Sequence, residues 1–189
     1  MRGLVLLLVA STLSGADFLP LKTGTTWTYR AQVEWTDEED NVRKDTITWS
    51  SVVLSVHRKG TRTAAVIEGL PLELAFYQPG QLRGYFVFVE NEHGVFFEMV
   101  DSREEAESIA RESEGELLIA KPPVVGHCVD PDGCWSVEEK LSRGWLLTYR
   151  TNPDHQLITF VPGVGITRYQ YEHHGTVARV DAELTSLRR

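Results

Sequence analysis

Residues Thr26–Trp35, with the sequence TWTYRAQVEW, decide the fold class of this chain. Large apolar side chains occupy every second position of the stretch, and polar side chains fill the positions between them. Because successive side chains of a strand point to opposite faces, this alternation predicts a half-buried β-strand with one aromatic face. The apolar positions are Trp27, Tyr29, Ala31, Val33 and Trp35, and the polar positions are Thr28, Arg30, Gln32 and Glu34.

The residues that follow predict further strands. Residues 36–41 (TDEEDN) form a solvated hairpin connection, and the β-branched run Thr46–Val56, which contains Trp49, returns as a second long strand. Later strands are predicted at Thr63–Glu68, Trp135–Leu141, Trp145–Arg150, Gln156–Val161, Ile166–Glu172 and Thr176–Leu187. The parity of the apolar residues changes within the strand that begins at Ile166, which predicts a β-bulge near Thr167–Arg168.

One predicted hairpin is apolar on both faces. Its strands are Tyr85–Val89 and Val95–Met99, joined by residues 90–94 (ENEHG). A strand that is apolar on both faces is normally covered on both, so we expect another element to pack on the second face of this hairpin. The one predicted helix, about residues 103–113, follows directly, and it could lie across that face or cover only an edge.

The pattern as a whole favours a mainly β fold in one domain. Nine to twelve strands are predicted with a single short helix, which opens on a capping box of Ser102 and Glu105. There are no alternating helix–strand units, which favours an antiparallel curved sheet, open and barrel-like, with a β-sandwich as the alternative. We expect a single domain over residues 17–189.

Composition excludes some classes of partner. The chain has 189 residues, of which 42% are hydrophobic, as in an ordinary globular domain. There are 19 Lys and Arg residues against 27 Asp and Glu residues, for a net charge of −8. This acidic balance argues against nucleic acid or an anionic membrane surface as a partner, because both require clustered positive charge.

Residues 1–16 have the pattern of a secretory signal peptide. Arg2 provides a positive charge and is followed by the apolar stretch Leu4–Ala10. The small residues 14–16 (SGA) form a typical cleavage site for a signal peptidase. The alternative is an uncleaved membrane anchor, but even when extended to Leu13 the apolar stretch is only ten residues, about half of a span of about 20. We therefore expect cleavage after Ala16 and a mature protein, without a membrane span, that is secreted or periplasmic.

The two cysteines suit an exported protein. Cys128 and Cys134 flank the turn-forming residues 131–133 (PDG), and in an oxidising compartment such a pair predicts a disulfide. The alternatives are free or redox-active thiols, or a metal site that also uses His127. A structural zinc site needs four ligands, and the sequence does not offer the remaining one at the usual spacing.

Two motifs resemble a family of exported bacterial domains of unknown function. The first, residues 18–29 (FLPLKTGTTWTY), resembles an opening of the form F-x-P-L-K-x-G-x-x-W-x-Y, and the second, residues 160–166 (FVPGVGI), resembles a P-G-V-G element before the closing hairpin. Related domains look like the open, curved β-barrels of bacterial lipoprotein-carrier proteins. The resemblance implies a bacterial source and an all-β architecture, and it carries over no catalytic residues.

No pattern in the sequence nominates catalytic residues, a metal site or a cofactor. The sequence lacks the G-x-S-x-G, H-E-x-x-H, G-x-x-x-x-G-K-[ST] and G-x-G-x-x-G motifs. The one histidine pair, His173 and His174, lies in a predicted turn, where neighbouring side chains point apart. A hydrolase with an unrecognised site stays one alternative, because carboxylates brought together across strands leave no signal in the sequence.

Aromatic content is the remaining clue, with five Trp, six Tyr and seven Phe residues. A large core accounts for most of them. A curved sheet can also leave part of its apolar face as a pocket, which suggests a non-catalytic envelope protein that binds an apolar, lipid-like ligand. A structural domain that docks an apolar sheet face on an envelope protein is the alternative. The predicted ligand-binding residues are Phe86, Phe88, Phe96, Trp35 and Trp49.

Overall fold

The computed structural model describes residues 17–126, 133–151, 154–173 and 178–189. Within them the chain forms eleven strands, one α-helix, and one 3₁₀ turn at Pro71–Phe76. The strands are β1 Thr26–Thr36, β2 Val42–Lys59, β3 Arg62–Glu68, β4 Tyr85–Glu90, β5 Gly94–Val100, β6 Glu116–Ala120, β7 Ser136–Leu141, β8 Gly144–Arg150, β9 Asp154–Val161, β10 Gly165–His173 and β11 Arg179–Arg188; the helix is α1, Arg103–Glu112.

All eleven strands belong to one antiparallel sheet that is nearly closed into a barrel. Their order is β6-β5-β4-β3-β2-β1-β11-β10-β9-β8-β7, so β1 joins the two halves of the chain by pairing with both β2 and β11. The edges of the sheet, β6 and β7, approach one another where Val125, just after β6, forms a parallel bridge to Val137 of β7. The barrel-like prediction is confirmed, and the sandwich alternative is not the observed architecture.

The alternation in β1 works as predicted. Trp27, Tyr29, Ala31 and Val33 are buried inside the barrel, whereas Arg30 and Gln32 point outward and are exposed. Tyr29 lies opposite Trp49 of β2. The predicted bulge in β10 is confirmed by a register shift between Ile166 and Arg168.

The second apolar face of the β4–β5 hairpin is covered by α1. Ala106 and Ala110 of the helix are fully buried against a cluster on the outer face of the sheet, which also contains Val87, Val89 and Val100. The helix begins where predicted, since the Ser102 hydroxyl accepts a hydrogen bond from the Glu105 N–H at 3.2 Å. The covering element predicted for this face is therefore part of the same chain.

The two sequence motifs, far apart in the chain, meet at the end of the barrel where β1 begins. The Trp27 indole donates to the carbonyl oxygen of Val164 at 2.6 Å, and the Gly163 N–H donates to the carbonyl oxygen of Phe18 at 3.0 Å. Gly165 has a positive φ of 95°, and a Cβ placed there would lie 2.9 Å from the Leu19 side chain. We call residues 17–24 the N-terminal strap, because they run across this end of the barrel and close it.

Some predictions fall wholly or partly outside the described residues. They are the signal peptide at residues 1–16, the Cys128–Cys134 disulfide, of which Cys128 is not described, the alternative metal ligand His127, the turn with His174, and the start of the predicted strand Thr176–Leu187. These stay predictions. None of the described helices has the length and hydropathy needed to cross a membrane.

Candidate functional site

The opposite end of the barrel, where β1 ends, is closed by an excursion of the chain between β3 and β4. We call residues 69–84 the inward segment. Gly69 has a positive φ of 75°, which favours glycine, and its N–H donates to the carbonyl oxygen of Gly84 at 2.9 Å, so the segment leaves and rejoins the sheet at one neck. Pro71 opens the 3₁₀ turn, where the fixed φ of proline suits the first helical position.

A partly buried carboxylate holds the neck of the inward segment together. Glu73 accepts hydrogen bonds from the N–H groups of Leu70 and Gly84, both at 2.9 Å. Burial raises the pKa of Glu73 above its ordinary value, although these two hydrogen bonds act in the opposite direction. The Trp49 indole of β2 donates to the Leu70 carbonyl oxygen at 3.1 Å and fixes the segment to the barrel wall.

The inward segment fills this end of the barrel with its own apolar side chains. Leu74 is 1% exposed, and Leu70 and Ala75 are also buried in the main core. The 3₁₀ turn contacts β2, β10 and β11. The inward-facing residues of β1 and β11 at this level are small, namely Ala31, Val33, Val180 and Ala182, so the strands alone leave room that the segment occupies.

The rim around the inward segment is aromatic. Tyr77 packs edge-on against Trp35 at 5.1 Å between ring centroids, and Phe76 lies 6.4 Å from Tyr171 of β10. Phe76 is nevertheless 77% exposed, and Leu82 of the same segment is 92% exposed. Large apolar side chains are therefore presented to solvent on the same excursion that fills the interior.

A polar cluster lies beside this rim. Asp154 of β9 accepts a hydrogen bond from the Tyr171 hydroxyl at 2.8 Å, and its Oδ1 lies 2.6 Å from His173 Nδ1. Burial raises the pKa of Asp154, but the contacts with His173 and Tyr171 lower it more, so the pKa lies below its usual value. The cluster joins the ends of β9 and β10.

The five residues predicted to bind a ligand do not share one surface. Phe86 and Phe88 are buried inside the barrel together with Trp49, and Trp35 lies partly buried at the rim. Phe96 lies on the outer face, in the cluster beneath α1. The inward-facing aromatic residue of β5 is its neighbour, residue 97.

Sequence reasoning missed the inward segment, whose buried residues are Leu70, Pro71, Leu74 and Ala75. Its two prolines and its glycines predict a loop, and a loop is normally placed on the surface. The available signal was the density of apolar residues in residues 70–77 (LPLELAFY), which is unusual for a solvated connection. No group of three or more His, Cys, Asp and Glu residues suited to a metal ion occurs in the part of the chain that the structure describes.

No protein-family model matches the chain, and no curated protein matches it. Among solved structures, it is similar to a "putative lipoprotein" from Parabacteroides distasonis ATCC 8503, with 13% identity and a TM-score of 0.47 over 92% of this chain and 99% of that chain. It is also similar to a "putative exported protein with YmcC-like fold" from Bacteroides fragilis NCTC 9343, with 10% identity and a TM-score of 0.47 over 92% of this chain and 100% of that one. A likeness at this level assigns no function to the chain.

Proposed function

We propose that the protein is a non-catalytic, exported binding protein of the cell envelope, which takes up an apolar, lipid-like chain inside the barrel. The ligand occupies the space that residues 70–75 fill in the closed form, and the inward segment moves out to admit it. The observation that carries the proposal is that one end of the barrel is filled by an excursion lying outside the sheet, and not by the strands themselves.

Three features of the inward segment support this exchange. Its buried side chains are apolar, so a hydrocarbon chain can replace them in the same surroundings. Both of its ends lie at one neck, formed by Gly69 and Gly84, so it can move without breaking any pairing within the sheet. The exposed side chains of Phe76 and Leu82 offer an apolar surface on which an arriving ligand can first make contact.

The test weakens the closed form and measures the affinity for a fluorescent fatty acid, cis-parinaric acid. Leu74→Ala removes the most buried side chain of the segment, and such a change destabilises a core by about 2–5 kcal/mol. If the closed form loses about 2 kcal/mol of stability relative to the open form, the apparent affinity for the fatty acid rises about 30-fold. The reason is that the ligand must displace the inward segment in order to bind.

Leu147→Ala is the matched control. Leu147 is also fully buried in the main core, but it belongs to β8 and not to the inward segment. It should lower stability by a similar amount without raising the affinity for the fatty acid. The proposal is wrong if neither the wild type nor Leu74→Ala binds cis-parinaric acid, or if both variants increase binding equally.

A further inference from the structure

A groove of about 790 Å³ lies largely on the outer face of the sheet, across the strands from the inward segment. It crosses β2, β1, β11, β10 and β9, and its volume is in the range of small-molecule sites. Four steps between strands make it about 19 Å long. Its outward-facing lining residues form two rows across the strands. One row is charged, and the other contains Gln32, Asp181, Gln170 and Leu157.

One row of charged residues in the groove is paired within itself. Across the strands, Lys44 lies opposite Glu34, Glu34 opposite Arg179, and Arg179 opposite Glu172. Lys44 forms an ion pair with Glu34, and Arg179 Nη2 lies 2.6 Å from Glu172 Oε1. Charges that alternate in this way stabilise the sheet, and they leave little net attraction for a charged ligand.

The next row of the groove offers hydrogen-bonding groups that are free. Gln32 and Gln170 lie on either side of Asp181 in the register, so their Cα atoms are about 10 Å apart. The side-chain amide of neither residue has a hydrogen-bond partner within the described residues. The Asp181 carboxylate is oriented by two hydrogen bonds from Arg168, at 2.8 and 2.6 Å, and keeps further acceptor capacity.

We propose that this groove binds a neutral oligosaccharide, independently of the apolar ligand inside the barrel. A side-chain amide both donates and accepts, and so it matches adjacent hydroxyl groups, each of which does the same. The oriented Asp181 carboxylate, between the two amides, accepts a hydrogen bond from a sugar hydroxyl. Leu157, which is partly buried and lies opposite Gln170, supplies an apolar surface for the C–H face of a sugar ring.

The experiment screens the processed protein against an array of neutral bacterial oligosaccharides and measures the dissociation constant of the best one by calorimetry. The double variant Gln32→Ala/Gln170→Ala is expected to weaken binding at least tenfold. Thr48→Ala is the control, because Thr48 is exposed on the outer face one row away and does not line the groove. For a neutral ligand, the dissociation constant should not change between 50 and 500 mM salt, roughly a threefold range of Debye length.

Three results would overturn the proposal. The first is that no neutral oligosaccharide binds. The second is that the double variant binds as tightly as the wild type while circular dichroism shows both to be folded. A steep loss of affinity with salt would also count against it, since that dependence marks a charged ligand held by the ion-paired row. Leu74→Ala should leave this affinity unchanged, which separates the groove from the site inside the barrel.

Discussion

Glu90 fixes the N-terminal strap to the barrel, and Glu90→Gln is expected to release it. The carboxylate is 6% exposed at the end of β4 and accepts hydrogen bonds from the Phe18 N–H at 2.6 Å and the Leu19 N–H at 3.1 Å. It also forms an ion pair with Lys121, just after β6. The Lys121 ammonium in turn lies 4.6 Å from the centre of the Phe18 ring. One carboxylate thus joins three parts of the chain.

The magnitude follows from what glutamine cannot replace. The amide of glutamine has one carbonyl oxygen, so it can accept only one of the two hydrogen bonds that the strap N–H groups donate to Glu90. The lost hydrogen bond, made to a charged group, is worth about 1.5–3 kcal/mol. Lys121 loses its counter-charge; breaking a buried ion pair costs about 3–5 kcal/mol, but the lysine side chain is 22% exposed, which reduces this. We expect a loss of about 3 kcal/mol in the free energy of unfolding, or about 6–12 °C in Tm for a domain of this size.

The assay is urea denaturation of residues 17–189 in a double-mutant cycle with Lys121→Met, which removes the ammonium group and keeps most of the length of the side chain. A direct ion pair predicts a coupling energy of at least about 1 kcal/mol between the two changes. Glu92→Gln is the control, because the Glu92 side chain is 68% exposed, and its stability should stay within about 0.5 kcal/mol of the wild type. Additive effects of Glu90→Gln and Lys121→Met, or a loss below about 1 kcal/mol for Glu90→Gln, would refute this account.

Three further changes test other parts of the fold. Gly165→Ala should cost about 1–2 kcal/mol in urea denaturation, because φ is +95° and the new Cβ approaches Leu19; full stability would contradict the contact between the motifs. The lowered pKa of Asp154 stabilises the fold above its unfolded-state pKa, and this stability is lost as pH falls through the folded-state pKa. Asp154→Asn should therefore flatten the acid limb of a pH–stability profile below about pH 4, and an unchanged limb would exclude this role. Ser102→Ala removes the cap on the Glu105 N–H and should cost about 1 kcal/mol by thermal denaturation, whereas Ser102→Thr should cost less.

The parts of the fold that could be predicted are those that depend on the local pattern of apolar and polar residues. Alternation in β1 identifies the inward-facing side chains without knowledge of their partners, and the Ser102 capping box places the start of α1. The doubly apolar β4–β5 hairpin requires cover on its second face, and α1 supplies it. Each of these inferences depends on a few neighbouring residues and on the geometry of a strand or a helix.

The joining of the two halves of the chain into one sheet could not be predicted in the same way. It depends on β1 pairing with β11, which joins Thr26 to Arg188 across nearly the whole chain, and nothing in either strand specifies that partner. β6, Glu116–Ala120, was not predicted, because its short run of apolar residues lies next to two prolines. The inward segment was missed for a related reason: whether a loop lies inside or outside a barrel depends on the space that small residues on distant strands leave.

Phe96 shows how the register decides a site. In the β4–β5 hairpin, Phe88 lies opposite Phe97, and Val89 lies opposite Phe96. Phe97 therefore shares the inner face with Phe88, at 6.1 Å between rings, whereas Phe96 faces α1. A connection longer or shorter by one residue would reverse this assignment, because a shift of one residue exchanges the two faces of a strand. An apolar pattern without alternation contains no information on which arrangement is adopted.

The two ends of the barrel are closed by different kinds of contact, and under the proposed function this difference favours the inward segment over the N-terminal strap as the part that moves. The N-terminal strap is held by a buried ion pair and by hydrogen bonds to residues 163–164, so its release would leave charged and polar groups without partners. The inward segment is held largely by apolar burial, and under the proposed function an apolar ligand in the same place would keep the apolar wall of the barrel covered. Its polar contacts converge on the neck, where Glu73 accepts hydrogen bonds from the N–H groups of Leu70 and Gly84. Under the proposed function, exchange at that end would therefore leave fewer charged and polar groups without partners than exchange at the strap.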